Sequence, residues 1–355
     1  MPSQPQIEIH ESGLVDQNDS AFATLVHLNN QEILCGFSAG GGAHATGGTQ
    51  CRRSRDGGRS WSQPTVILDR VSQPFITNHL RLSRTASGTI LAYGQRDYRE
   101  MQGGRSRTIR SEPILCRSED KGETWSDPQI IPAQLPGPYE ISNPIVVTHD
   151  GRWLAPAATH HGKLYGEKVV VFESADEGRT WPDMHTVFEH PEKQTGYLEQ
   201  KLIEFQPNRL VAIAWRQDFQ NDVDLDNAIS FSNDGGLTWS DPLATGVQGQ
   251  TMTPIWLEED RFCILYNRRF GEQGVRMCLV RANDTHWNIE YEGTMWDAKS
   301  SSHWNEEMSS NEQISKIQFG YPMAVRLDDQ TLLATHWCVE NGVCGIRWTR
   351  LQIHN

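Results

Sequence analysis

One eight-residue phrase recurs four times along this chain: SRDGGRSW from residue 54, SEDKGETW from 118, SADEGRTW from 174 and SNDGGLTW from 232. All four fit Ser-x-Asp-x-Gly-x-(Ser/Thr)-Trp, and their starts lie about 60 residues apart. A fixed period of this length dictates architecture, because each repeat is one supersecondary unit that buries its apolar face only by stacking on a neighbour. The letters of the octet have a local logic. Its Asp can accept hydrogen bonds from the backbone of its own turn, and its Gly supplies the positive φ that a hairpin loop needs. Its Trp then plugs the seam beneath the turn. The octet is therefore expected to staple strands together and to take no part in chemistry.

Around each octet the pattern reads strand, turn, strand. In the second unit NHLRLSRTASGTILAYGQR gives two strands about a Ser-Gly turn, PILCRS a third and PQIIPA a fourth. Four strands in each unit of this length form the blade of a β-propeller. Two further units lack the intact octet: residues 250–290, which end in ANDTHW, and residues 317–353. The expectation is an all-β, six-bladed β-propeller of four-stranded antiparallel blades with four intact octets, one domain spanning 1–355. The approximate blades are 16–70, 71–135, 136–190, 191–247, 248–300 and 315–355, the last closed by a strand from residues 1–15. The 12 Trp, 30 Gly and 17 Pro of this sequence agree with short strands and tight turns.

A formal net charge of −13 repels phosphate backbones, so nucleic acid is excluded as a partner. The seven cysteines form no CxxC pair, which argues against zinc or a disulfide framework; most read as small buried hydrophobes. The N-terminus has no signal-peptide pattern and no stretch approaches a membrane span, so a soluble, cytoplasmic protein with no membrane partner is expected. The glycine runs at 40–42 and 47–48 follow no strand-to-helix transition and make no phosphate loop. The sequence carries no signature of a particular oligomeric state.

In a propeller the innermost strand of each blade faces the axis, so the repeat nominates the site. Aligning the units on their second strands places Phe22, His79, Ser142 or Asn143, Glu199, Thr251 to Thr253 and Tyr321 at the start of the inner strands. The far ends of the second strands hold Ala39, Arg96, Thr159 with His160, Arg216, Arg268 and Cys338. Packing alone does not select a ring of His, Glu, Tyr and three Arg; converging polar groups on a concave surface define a candidate site. Arg81, Arg84, Arg105, Arg107 and Arg110 are expected on solvated strand faces or loops, and residues 306–313 in a loop over one face.

The octet is the Asp-box, or bacterial neuraminidase repeat, and with six units the chain resembles the sialidase superfamily. The resemblance extends to particular residues. YLEQKLIEFQPNRLVAIAWR supplies Glu199, Glu204 and Arg216 in the order of that superfamily's fourth blade, GVRMCLVRANDTHW supplies Arg276, and FGYPMAVRL supplies Tyr321 in a Gly-Tyr step. It implies a nucleophilic Tyr321 with Glu199 as its base, since a tyrosine with a free pKa of about 10 needs one. It also implies an arginine clamp on a substrate carboxylate, with Arg216, Arg276, Arg96 and Arg268 as candidates and His160 as a further substrate contact. The mechanism so implied calls for no cofactor and no metal, and the substrate is an acidic oligosaccharide or glycan.

The first unit departs from the family. Where sialidases carry an Arg-Ile-Pro step this chain reads AFATLVHL, and where they carry an acid/base Asp it reads SAGGGAHATGGTQCRRS, with His44 the sole titratable candidate before the arginines. His79 is then the acid/base candidate and Arg96 the substitute clamp, with His160 and His161 near them. Three functions compete on these residues: a sialidase-like exo-glycoside hydrolase releasing a carboxylated sugar, a uronate lyase in which Tyr321 and His79 share the base and acid roles, and a non-catalytic glycan-binding propeller.

Overall fold

The computed structural model describes residues 5–29, 31–102, 105–161, 164–299 and 317–354, with residues 102, 105, 161 and 164 described by backbone alone. Six antiparallel sheets follow one another along the chain. The first blade comprises Ser20–His27, Ile33–Ala39, Gly48–Ser54 and Thr65–Leu68. The second comprises Ile76–Arg84, Ile90–Gln102, Arg105–Ser118 and Gln129–Ile130. In the third, two short pieces, Tyr139–Glu140 and Val146–Val147, both pair with Trp153–His161, which is followed by Leu164–Ser174 and Asp183–Glu189. The fourth is Thr195–Gln206, Arg209–Asp218, Val223–Ser232 and Leu243–Ala244, and the fifth is Met252–Glu258, Arg261–Arg268, Gly274–Ala282 and Trp287–Asp297. The sixth runs Phe319–Arg326, Thr331–Glu340 and Val343–His354, and its outer strand is the N-terminal Gln6–Asp16, paired antiparallel from Gln6 opposite His354 to Asp16 opposite Ile346. The described residues hold a single helical turn, Gly42–His44, and no helix long and apolar enough to cross a membrane.

The apolar residues sort into six buried clusters, and each cluster lies between two adjacent blades. Val26, Leu34, Leu80 and Ile114 fill the seam of the first and second; Phe205, Ile213, Phe262 and Ile264 fill that of the fourth and fifth. Each blade is apolar on both faces because both faces are covered.

The octets work as their letters suggest. In each, the leading Ser hydroxyl accepts the Gly N–H at 2.7–2.8 Å and the Asp carboxylate receives the Ser or Thr hydroxyl four residues on. The glycine nitrogens so held belong to Gly58, Gly122, Gly178 and Gly236, with φ between 75° and 95°. Each octet Trp packs backward, into the seam with the preceding blade: Trp61 against the sixth, Trp125 against the first, Trp181 against the second and Trp239 against the third. Trp287, from the degraded fifth copy, does the same against the fourth. All seven cysteines are buried and free, including Cys338 and Cys344.

Candidate active site

The inner strands deliver side chains to the axis by two devices. In the first, fourth and sixth blades the pairing of inner to second strand slips between Ala21 and Thr24, Leu198 and Lys201, and Gly320 and Met323. Inside each slip sits one non-glycine residue in the left-handed region: Phe22 at φ 59°, Glu199 at 48° and Tyr321 at 54°. Such residues are held only where the surroundings over-determine them, and the bulge re-aims the side chain. The inner strand of the second blade pairs without a slip, so simple alternation puts His79 and Arg81 on one face.

Phe22, Glu199, His79 and Arg81 line a cavity of about 470 Å³ at the heart of the propeller, and Tyr321 lies buried behind Arg81. The Arg81 side chain is buried; its Nε donates to the Tyr321 hydroxyl oxygen at 2.6 Å and its Nη2 donates to His79 Nδ1 at 3.2 Å. An arginine only donates, so His79 accepts at Nδ1 and its ring proton sits on Nε2. Arg81 Nη1 and His79 Nε2 are both buried and hydrogen-bond to nothing in the structure. The Tyr321 hydroxyl donates to the Ser142 carbonyl, which also receives Lys201 Nζ, and that ammonium stands 3.4 Å over the Tyr321 ring. Two carboxyl groups join them. Glu140 accepts the Ser142 hydroxyl and, at 3.1 Å, the Glu199 N–H; Glu199 accepts the Thr251 hydroxyl. Behind Glu199, buried Arg269 donates to the Gln250 side chain and the Phe319 carbonyl.

Burial dominates the electrostatics. It raises the Tyr321 hydroxyl well above the ordinary tyrosine range, the Arg81 charge opposing. It pushes His79 well below its usual value, helped by Arg81 and Lys201, so the imidazole is neutral. Burial and then the Glu199 charge lift Glu140 to about 7, with Lys201 pulling the other way, and burial also raises Glu199 against the pull of Arg269. Lys201 is lowered well below the usual ammonium range by burial and by Arg81.

The structure thus brings Tyr321, Glu199 and His79 together, and His160 and His44 line the same cavity, His160 with its ring 5.2 Å from that of Tyr165. Tyr321 and Glu199, expected as nucleophile and base, share no hydrogen bond: Tyr321 is bonded to Arg81 and the Ser142 carbonyl, Glu199 to Thr251. The four expected clamp arginines stand outside the cavity. Arg96 is tied to Glu112 at 2.6 Å, Arg216 to the Asp226 carbonyl at 2.6 Å, Arg268 faces Glu292 at 3.8 Å, and Arg276 bonds Thr294 Oγ1 at 2.5 Å. Alternation explains two of them: Gln95 and Asp97 flank Arg96 and line the cavity, as Trp215 and Gln217 do beside Arg216. Glu204 caps a turn, accepting from His149 N–H and Asn208 N–H. Arg81, expected on a solvated face, is buried at the centre because its i−2 neighbour His79 already faces the axis. The expectations for residues 306–313 and for the side chain of His161 fall outside the described residues.

Arg81, Glu140, Lys201 and Arg269 were not nominated by the sequence. Arg81 and Lys201 lie two residues beyond His79 and Glu199, and a strict strand alternation would have found the first. Elsewhere, a concavity of about 460 Å³ between the first two blades holds Arg53, which Glu123 pairs at 2.9 Å. Among the described residues one trio, Glu8, His10 and His354, has metal-ligand spacing, and it lies on the exposed outer edge of the sixth blade.

A six-bladed all-β propeller with Asp-box turns and a buried Tyr–Arg–Glu cluster on its axis is a sialidase-type propeller. The chain belongs to the BNR repeat-like domain family, whose model matches residues 32–333. No curated protein matches the sequence. Among solved structures, it is similar to a protein of unknown function from Dyadobacter fermentans, with 20% identity, a TM-score of 0.73 and coverage of 98% of this chain and 99% of that one. It is also similar to the NanB sialidase of Streptococcus pneumoniae, here as its K499G mutant (13%, TM-score 0.67, 99% and 71%). A third is the α-L-arabinanase of Penicillium chrysogenum complexed with arabinobiose (13%, TM-score 0.61, 97% and 99%). Identities this low establish a shared fold.

Proposed function

We propose that this protein is a glycan-processing enzyme that hydrolyses the glycosidic bond of a carboxylate-bearing sugar. The observation that carries the reading is the pair of buried, unpartnered N–H donors, Arg81 Nη1 and His79 Nε2, beside a cavity that is also lined by the carboxyl groups of Asp97, Glu140 and Glu199. A buried donor without an acceptor is costly in the free protein, on the order of 1–3 kcal/mol, and an anionic oxygen of a ligand relieves that cost. The sialidase and the arabinanase are named for glycan substrates, which supports the same class for this fold.

In this reading Arg81 receives the sugar carboxylate, and Tyr321 attacks the anomeric carbon while Glu199 takes its proton. In the free protein the Tyr321 hydroxyl donates that proton to the Ser142 carbonyl in a hydrogen bond, so the route to Glu199 is completed when substrate enters. Arg81 Nε, at 2.6 Å, stabilises charge developing on the phenolic oxygen. His79, neutral and with its proton on Nε2, serves as a hydrogen-bond donor to substrate. The same Tyr321–Arg81–His79 chain favours a second reading, β-elimination from a uronic acid, in which Arg81 neutralises the carboxylate and Tyr321 moves the α-proton.

Incubation with sialylated and uronate-containing oligosaccharides, read by mass and near-ultraviolet absorbance together, separates the two. The expected result is release of an acidic monosaccharide with gain of one water. Arg81→Met is expected to lower kcat/KM on the order of a hundredfold. A rise in absorbance without added water makes the protein a lyase, and binding without turnover of any substrate makes it a glycan-binding module.

A further inference from the structure

Building on the hydrolase reading, we infer that Glu140, carried by the third blade, is the proton donor to the leaving group, standing in for the acid that the first blade lacks. Leaving-group protonation requires an acid that reaches the cavity and still holds a proton at working pH. That role suits a carboxyl kept protonated by burial, whereas His79 is held neutral. The first-blade loop lends the cavity Ala43, His44 and Ala45, and no carboxyl. Three carboxyl groups do line it: Asp97, Glu140 and Glu199. Asp97 is committed to Ser111 Oγ at 2.5 Å and to Arg99 at 3.4 Å. Glu199 is the base for Tyr321. Glu140 remains.

Its position is fixed by backbone on both sides. Tyr139–Glu140 pairs with the second strand of its own blade, Glu140 opposite Ala158, and the Glu199 N–H reaches across from the fourth blade to its carboxylate. The charged and titratable groups facing it are Glu199 and Lys201 from the fourth blade and Arg81 from the second, with Ser142 on its own segment. Two carboxyls held this close in a buried site keep one proton between them into the neutral range, and the pair titrates as a unit. Glu140 is the member that keeps it, since Arg269 stands behind Glu199 and favours its charged form.

The step balances. The glycosidic C–O bond breaks with its electron pair on the leaving oxygen, which takes the Glu140 proton; the Tyr321 oxygen bonds to the anomeric carbon, and its proton passes to Glu199. In the second half, water adds to that carbon and gives a proton to the Glu140 carboxylate. Tyr321 leaves and recovers its proton from Glu199.

The test uses the full chain, its Glu140→Gln and Glu199→Gln variants, and two readouts. Difference infrared spectroscopy between pH 5 and pH 9 is expected to show a protonated-carboxyl band that is lost through the neutral range in the unsubstituted protein and is reduced by one carboxyl in Glu140→Gln. The remainder includes Asp224, which burial raises to about 6. An undiminished band in Glu140→Gln overturns the assignment whatever the activity. In kinetics, Glu140→Gln is expected to lose a factor on the order of 10² to 10⁴ on substrates with sugar leaving groups. It should lose less than about tenfold on an aryl glycoside of an acidic phenol, which departs without protonation. Equal losses on both substrates overturn the role of proton donor. If the unsubstituted protein turns over neither substrate while the band behaves as expected, the hydrolase reading fails and takes the catalytic role with it, leaving the proton of Glu140 in place.

Discussion

Arg268 and Arg269 are adjacent in sequence and opposite in circumstance. Arg268 faces solvent and a distant Glu292, whereas Arg269 is 3% exposed and burial lowers its guanidinium to about 10 against the charges of Glu199 and Asp224. Removing an exposed ion-pair partner costs little, and stripping a buried charge from its partners costs much. Arg268→Ala is therefore expected to change the unfolding free energy by less than about 1 kcal/mol, and Arg269→Ala to lose roughly 3–5 kcal/mol. Urea denaturation of the two variants measures both, and the reverse order would place the wrong arginine in the site. One-residue steps of this kind mark where the sequence stopped being legible. The repeat allowed Tyr321, Glu199 and His79 to be placed near one another, because all three sit on inner strands that the octets align. It missed the facing of Arg96 and Arg216 because aligned strand ends do not reveal which face a side chain takes, and a shift of one residue reverses it. The bulges at Phe22, Glu199 and Tyr321 add a phase change that spacing cannot show. Glu140 was hidden because the third inner strand is two short pieces, and buried Lys201 because a lysine is read as exposed by default.

At the scale of the element, the Asp-box turn is a device for holding a hairpin tip with one carboxylate. Asp176 receives the Thr180 N–H at 2.8 Å, the Thr180 hydroxyl at 2.7 Å and the Ser174 hydroxyl at 2.8 Å. These bonds, the Thr180 backbone first, lower its carboxyl to about 2. A carboxyl depressed by folding contributes stability that is present above its unfolded value, near 3.8, and is lost as pH falls through its folded value, about 2. Asp176→Asn is accordingly expected to lower the thermal midpoint at pH 7 and to differ less and less from the unsubstituted protein between pH 4 and pH 2. A pH-independent gap in thermal scans would mean that the ionised carboxylate is not what holds the turn. The octets made this element readable in advance. The direction in which each Trp packs was not, because it depends on which neighbouring blade the turn leans on.

The molecule as a whole has no central core: six apolar seams radiate from a polar axis, and stability depends on the ring being closed. Closure rests on Gln6–Asp16. Its Ile7 and Val15 are buried in the seams on either side of the sixth blade, the Tyr291 hydroxyl of the fifth blade donates to the Ile7 carbonyl at 3.1 Å, and Asp16 pairs with Arg52 of the first at 2.6 Å. One strand therefore fastens three consecutive blades, and it carries Val343–His354 as its ladder partner. The same seams hold the site in register, since Tyr321 comes from the sixth blade, Arg81 from the second and Glu199 from the fourth. Deleting residues 1–16 takes two buried apolar side chains, Ile7 and Val15, out of the seams, each worth ~1.5–3 kcal/mol, and leaves Val343–His354 as an open edge prone to pair with other chains. The expected outcome is a lower thermal midpoint with aggregation, and recovery of both midpoint and ligand binding when a synthetic peptide of residues 5–17 is added. An unchanged midpoint in calorimetry would show that the first and sixth blades hold together without the strand, and that the geometry at the axis is set by the inner strands alone.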